Sequence, residues 1–240
     1  MGPLGNITEF AAGYVAEDEP LLTARANAMD LGGTEPVRPE VGAVLRFIAS
    51  AVAAKTAVEV GTGCGSSGIW LLRGMRPGGV LTSVDTEPEY QRMARQAFTQ
   101  AGFAPNQSRL ILGRALDVLP RLSDGVYDIV FCDCEPRDYP DYLAAATRLL
   151  RPGGVVAFND ALSGSASLGG LDRPDGSAGF DRLSGLDDSD GLDGLDGLEA
   201  DGVTDGPRVE LASMVLDDER LVPMLLPLSG GLLAAVLRGA

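Results

Sequence analysis

A short apolar run, Thr56 to Val60, leads straight into Gly61-Thr62-Gly63-Cys64-Gly65-Ser66-Ser67. Glycines at 61, 63 and 65 let a backbone approach a ligand where a Cβ would collide, and a strand-to-helix turn of this kind suits a nucleotide-type cofactor. Asp85 closes the next apolar run, 24 residues after Gly61, the spacing at which an acidic side chain accepts hydrogen bonds from ribose hydroxyls. Two ligands compete for the loop. Gly63, Gly65 and Gly68 spell the GxGxxG fingerprint of NAD-dependent oxidoreductases, whereas Glu59 would set negative charge beside a pyrophosphate and suits a cationic ligand better. The plain alternative is a structural glycine turn.

Other chemistries are bounded by composition. The 240 residues include no histidine, which excludes Ser-His-Asp hydrolysis, papain-like catalysis and HExxH zinc sites. Cys64, Cys132 and Cys134 are an odd number without CxxC spacing, so they read as reduced, packed thiols rather than a disulfide or zinc framework. Catalysis falls to carboxylates, amides, hydroxyls, thiols or a cofactor.

The elements that must position these residues follow from periodicity. Apolar residues at helical spacing predict helices from Ile7 to Val15, from Leu21 to Leu31, and through Val41, Val44, Leu45, Ile48 and Val52. From there short apolar runs alternate with amphipathic segments, the pattern of a parallel sheet covered on both faces. Strands are predicted at 56–60, 79–85, 109–113, 127–133, 154–158, 220–227 and 232–238, with helices at 66–75, 87–101, 115–122, 139–150 and 208–218. Tyr90, Met93, Ala94, Ala97, Phe98 and Ala101 form the clearest helical stripe. The resulting division is a helical cap at 1–54, an α/β core at 55–162, an insertion at 163–206, and a C-terminal part at 207–240 that returns to the core.

Charge is concentrated in that insertion. The chain carries 34 acidic against 19 basic side chains, and residues 163–206 hold eleven of the acidic ones with only Arg173 and Arg182 opposing them. Repeated GLD triplets there lack the periodicity or the large apolar side chains that would offset ordering entropy, so the segment reads as a flexible linker. With no Lys/Arg cluster anywhere, nucleic acid is excluded as an expected partner. No apolar run approaches the roughly 18–20 residues that cross a bilayer. MGPLGNITEF has neither a basic n-region nor an apolar h-region, so a cytoplasmic enzyme with no membrane partner is expected.

At this point the chain resembles the S-adenosylmethionine-dependent O-methyltransferases of the catechol and caffeoyl-CoA type, over residues 35–162 and 208–238. The motifs that carry the resemblance are VEVGTGCGSSG at 58–68, SVDTEPE at 83–89, LILGRALDVLPRL at 110–122, DIVFCDCEPRDYPDY at 128–142 and LLRPGGVVAFNDAL at 149–162. The resemblance implies a Rossmann-like, doubly wound fold with a mostly parallel seven-stranded sheet whose last strand is antiparallel. It implies that Glu59, Gly61, Thr62, Gly63 and Ser67 surround the methionine part of the cofactor and that Asp85 holds the ribose. Thr86 and Ala115 would flank the adenine, Val37 would close over the cofactor, and Asp133 would face both methyl donor and acceptor as the catalytic carboxylate. A homodimer is also implied.

In metal-dependent members an Asp at the position of Asp133 and a following Asp-Asn pair hold a magnesium-like ion, which makes Asp133, Asn159 and Asp160 the candidate ligands for a divalent cation such as Mg. This sequence departs from the pattern there. The Asp-Asn pair is reversed to Asn159-Asp160, and Pro136 stands where the family has its lysine base, with Glu135 in the second acidic slot. The expected function is methyl transfer to a hydroxyl of a small acceptor, aromatic acceptors included. An NAD-dependent oxidoreductase and a non-catalytic S-adenosylmethionine-binding protein are the alternatives.

Overall fold

The computed structural model describes residues 13–162 and 207–239. Most of the first expected helix and the whole 163–206 insertion lie outside the described residues.

Seven strands follow the predicted runs closely: β1 (Thr56–Val60), β2 (Val80–Asp85), β3 (Ser108–Leu112), β4 (Tyr127–Cys132), β5 (Leu150–Phe158), β6 (Leu221–Leu226) and β7 (Leu232–Leu237). They form one sheet in the order β3-β2-β1-β4-β5-β7-β6. Pairing is parallel from β3 through β5, and β7 lies antiparallel to both β5 and β6. Side chains alternate between faces as the pleat requires. Ala57, Ile129, Phe131, Val155 and Ala157 enter one apolar core, while Val58, Val60, Val130, Cys132, Val156 and Phe158 enter the other.

The first core is covered by α1 (Glu19–Leu31), α2 (Pro39–Ala51), α3 (Ser66–Gly74) and α4 (Pro88–Gln100). Leu21 and Ala24 of α1 and Val41, Leu45 and Ala49 of α2 are buried with Trp70 and Phe98, so the N-terminal helices share the sheet's own core. Trp70 is core, and its indole lies where a Cβ on Gly42 would stand. The second face is covered by α5 (Ala115–Val118), α6 (Tyr139–Leu149) and α7 (Pro207–Asp217). Burying each large apolar side chain of these layers contributes about 1.5–3 kcal/mol.

Two elements differ from expectation. The helix expected over 115–122 is α only to Val118 and tightens to a 3₁₀ turn at Leu119–Arg121, where Pro120 has no N–H to continue the ladder. β5 begins at Leu150 rather than 154, because Leu150 already pairs with Tyr127 before a register shift restores regular pairing at Ile129. Asp128 fastens the opposite end of the sheet: its carboxylate accepts the N–H groups of Lys55 and Thr56 and the Arg151 guanidinium. Burial alone would raise its pKa, but these donors hold it below the usual carboxylate value.

Strand order reverses between β1 and β4, since the chain leaves β3 at one edge and returns on the other side of β1. In open α/β sheets the crevice beyond the carboxyl ends of the strands at such a switch is where ligands bind.

Candidate functional site

A cavity of about 230 Å³ occupies that crevice. Val37, Gly61, Thr62, Gly63, Ser67, Asp85, Thr86, Ala115 and Asp133 all border it, so nine of the ten residues singled out for the cofactor meet around one space. Glu59 is the exception. Its side chain is completely buried and does not border the cavity.

The glycine loop is held from below and from the side. Asp85 Oδ2 accepts the backbone N–H groups of Thr62 and Gly63, at 2.9 and 3.0 Å, and Oδ1 accepts that of Glu87. Asp85 therefore shapes the loop as well as facing the cavity. Beneath it, the Ser83 hydroxyl donates to Glu59 Oε2 at 2.5 Å and lies 2.7 Å from the Thr62 hydroxyl. Burial pushes the Glu59 carboxyl up to about 8, and its Oε1 has no hydrogen-bond partner.

The glycines serve packing more than the motif alone implied. Gly61 has φ +94°, and a Cβ there would overlap the Asp133 carbonyl oxygen, so the loop lies directly on the end of β4. Gly65, at φ +93°, forms the left-handed N-cap of α3 and passes Ala94; a Cβ on Gly68 would fall 2.6 Å from the Phe98 ring. Two glycines of the apparent GxGxxG thus seat α3 against α4, and the fingerprint that suggested NAD has a structural cause. The N-terminus of α3 offers Ser66 and Ser67 to the cavity, and the buried Ser66 hydroxyl is unpartnered.

The opposite wall is the segment Gly33 to Val37, which joins α1 to α2. It is tied down twice: Arg25 donates to the Val37 carbonyl at 2.8 Å while pairing with Glu17, and the Tyr90 hydroxyl donates to the Gly32 carbonyl at 2.8 Å. Thr34, Glu35, Pro36, Tyr90 and Cys134 also border the cavity and were not anticipated as site residues; Tyr142, which the sequence offers either as a substrate border or as helix packing, borders it too. Tyr90 was legible only as part of an apolar stripe. Thr34 to Pro36 sit in a turn without any motif.

At the end of β4, burial pushes the Asp133 carboxyl up to about 7, opposed by the Asn159 amide hydrogen bond. Asn159 Nδ2 donates to Asp133 Oδ1 at 2.9 Å and to Asp160 Oδ2 at 3.3 Å. The Asn159 backbone is fixed by Tyr139, whose buried hydroxyl donates to its carbonyl at 2.8 Å, and by its own N–H bond to Cys132. Asp160 has a left-handed backbone, φ +49°, and its Oδ1 accepts the Gly230 N–H. The three residues expected to hold a cation are therefore together, but an amide nitrogen, which cannot ligate a metal, stands between the carboxylates. As arranged the amide nitrogen, not its oxygen, faces both carboxylates, while Asn159 Oδ1 lies buried without a partner, and this donor set does not fit a divalent ion.

A second cavity, of about 310 Å³, adjoins the first. It lies between Glu35 to Arg38 on one side and Ser229-Gly230 on the other, with Asn159 and Asp160 also lining it. Glu35, Pro36 and Val37 border both spaces. One cavity beside the glycine loop and a second at the Asn159–Asp160 side of the Asp133–Asn159 pair give room for two neighbouring reactants.

Sheet order, switch-point cavity and acidic β2 terminus together define a Rossmann-like fold of the methyltransferase class. A methyltransferase-domain family matches residues 58–161. A Mycobacteroides abscessus protein, provisionally named an O-methyltransferase, is 44% identical over 237 residues, covering 97% of this chain and 95% of its own. Among solved structures, a Corynebacterium glutamicum protein superposes with a TM-score of 0.75 at 26% identity, covering 98% of this chain and 99% of that one. The O-methyltransferase TomG of Streptomyces achromogenes, involved in tomaymycin synthesis and solved with S-adenosylmethionine, gives 0.72 at 27% identity, covering 97% and 95%. The chain belongs to the O-methyltransferase family, in agreement with the resemblance read from its motifs.

Proposed function

We propose that this chain transfers a methyl group from S-adenosylmethionine to a hydroxyl of a small acceptor. The observation that carries the reading is the cavity with Asp85 at the carboxyl end of β2, Asp133 at the carboxyl end of β4 and the N-terminus of α3 between them. Such a space suits a ligand with ribose hydroxyls at one end and an amino-acid tail at the other. Asp85 would accept from the ribose, with Thr86 and Ala115 against the adenine and Val37 closing over it. Ser66 and Ser67, at the positive end of the α3 dipole, would hold the tail's carboxylate, and the unpartnered Ser66 hydroxyl supplies a donor for it. Glu59 acts from beneath by holding the loop through Ser83 and Thr62.

When bound, S-adenosylmethionine supplies a methyl carbon made electrophilic by its sulfonium. The protein's part is alignment and removal of the acceptor's proton. Asp133 stands between the two cavities through its bond to Asn159, and a carboxyl pushed up to about 7 is matched to take a proton near neutral pH. Asn159 orients that carboxyl, and Tyr139 fixes Asn159. Pro136 has no proton to exchange, so Asp133 replaces the lysine base that the family resemblance would supply. No step here depends on a cation.

Calorimetry with S-adenosylhomocysteine tests the reading: saturable one-to-one binding is expected, and tight NAD(H) binding without any for S-adenosylhomocysteine would replace it with an oxidoreductase. Transfer of labelled methyl to an acceptor would exclude a non-catalytic role.

We also propose a homodimer working in the cytoplasm. Phe47 of α2, Val222 and Met224 of β6 and Val236 of β7 leave an exposed apolar patch that a second copy would cover. Sedimentation of Phe47→Glu as a monomer beside a dimeric wild type would support this; a monomeric wild type would end it. No described helix is long and apolar enough to cross a membrane.

A further inference from the structure

We propose that the Asn159 side-chain amide does in this protein what a divalent cation does in metal-dependent relatives, holding the two carboxylates together, so that methyl transfer here needs no cation. The inference rests on the methyl-transfer reading above and concerns the same site.

Two carboxylates, Asp133 and Asp160, converge on one point, and Asn159 Nδ2 occupies it, 2.9 Å from one and 3.3 Å from the other. Each hydrogen of the amide meets an acceptor. Turning the amide over would set Oδ1 against both carboxylates; facing this way it leaves Oδ1 buried without a partner, a cost that the two charge-assisted bonds of Nδ2 outweigh. Asn159 cannot withdraw either: Tyr139 and Cys132 hold its backbone, and only 4% of the residue is exposed. Asp160 is committed to the Gly230 N–H as well.

With no cation to share, an acceptor needs no second hydroxyl to chelate one. The acceptor oxygen attacks the methyl carbon, the carbon–sulfur bond breaks with its electron pair on sulfur, and the acceptor's proton passes to Asp133. Isolated hydroxyl groups are then as suitable as vicinal diols.

The test compares wild type, Asn159→Asp and Asp133→Asn, each saturated with S-adenosylhomocysteine, in equilibrium binding of Mn²⁺ and in thermal denaturation with Mn²⁺ or a chelator. The acidic segment at 163–206 is present in all three, so loose binding to it cancels. Expected is that wild type and Asp133→Asn bind Mn²⁺ alike and melt alike with and without it. Asn159→Asp, with three carboxylates facing one another, should melt lower in chelator, recover with Mn²⁺, and bind it about tenfold more tightly or better than wild type. One further ion bound by wild type and lost in Asp133→Asn would overturn the proposal. Should Asn159→Asp fail to fold, the comparison of wild type with Asp133→Asn decides alone. Absence of S-adenosylhomocysteine binding would refute the methyl-transfer reading instead, and the Mn²⁺ comparison, run without it, would still decide the role of Asn159.

Discussion

Glu59→Gln isolates the buried carboxyl beneath the glycine loop. Glu59 is fully buried and its pKa is pushed from 4.5 to about 8 by desolvation, which the Ser83 hydroxyl only partly offsets. The folded protein therefore keeps a proton that the unfolded chain releases between these values. In that window the folded state binds more protons, so stability falls as pH rises, at about 1.4 kcal/mol per pH unit. The contribution is complete below 4.5 and lost as pH passes through about 8. Glutamine has no such proton, and any steric or hydrogen-bond cost it brings is independent of pH. The stability of Glu59→Gln relative to wild type should thus rise by about 3 kcal/mol between about pH 5 and about pH 7.5. Asp133 titrates in both proteins, and its contribution cancels in the difference to first order. Urea denaturation of the ligand-free proteins at four or five pH values measures the slope. Parallel stability profiles would show that Glu59 is ionised in the folded protein at pH 5, and the account of the loop's support would be wrong.

Asp85→Ala is expected to weaken S-adenosylhomocysteine binding by about 1–3 kcal/mol, about 5- to 150-fold in dissociation constant by calorimetry. Because Thr62 and Gly63 also lose their acceptor, Asp85→Asn should recover part of that loss; unchanged affinity in Asp85→Ala would misplace the ribose site. Gly61→Ala combines a strained positive φ with overlap on the Asp133 carbonyl, and should cost about 2–5 kcal/mol in chemical denaturation. A loss below about 1 kcal/mol would mean that loop and strand end can separate freely.

The fold was legible because each layer obeys one period. Strands buried on both faces, such as 127–132, read as continuous apolar runs, and helices such as 88–100 carry a single stripe. Boundaries slipped where one residue overrode the period, at Pro120, or where pairing began before the apolar run, at Leu150. In the site, Asp85 and Asp133 were legible because each ends a strand. The division of labour among the glycines was not, because a motif does not say whether a missing Cβ makes room for a ligand or for Phe98. Thr34, Glu35 and Pro36 were invisible because only the docking of α1 and α2 brings their turn across the crevice. Asn159 was visible as a departure, but which way its amide faces is decided by Asp133, Asp160 and Tyr139 in space.

The segment from Glu35 to Val37 is a party wall between the two cavities, and Gly61 against Asp133 is the fixed stone beneath it. Substitutions on the loop side of that wall disturb everything at once. The far side, Arg38 and the Ser229-Gly230 turn, touches only the second chamber. For anyone redesigning this protein to accept a different hydroxyl compound, that turn is the place to vary, since it leaves the donor's half of the reaction intact.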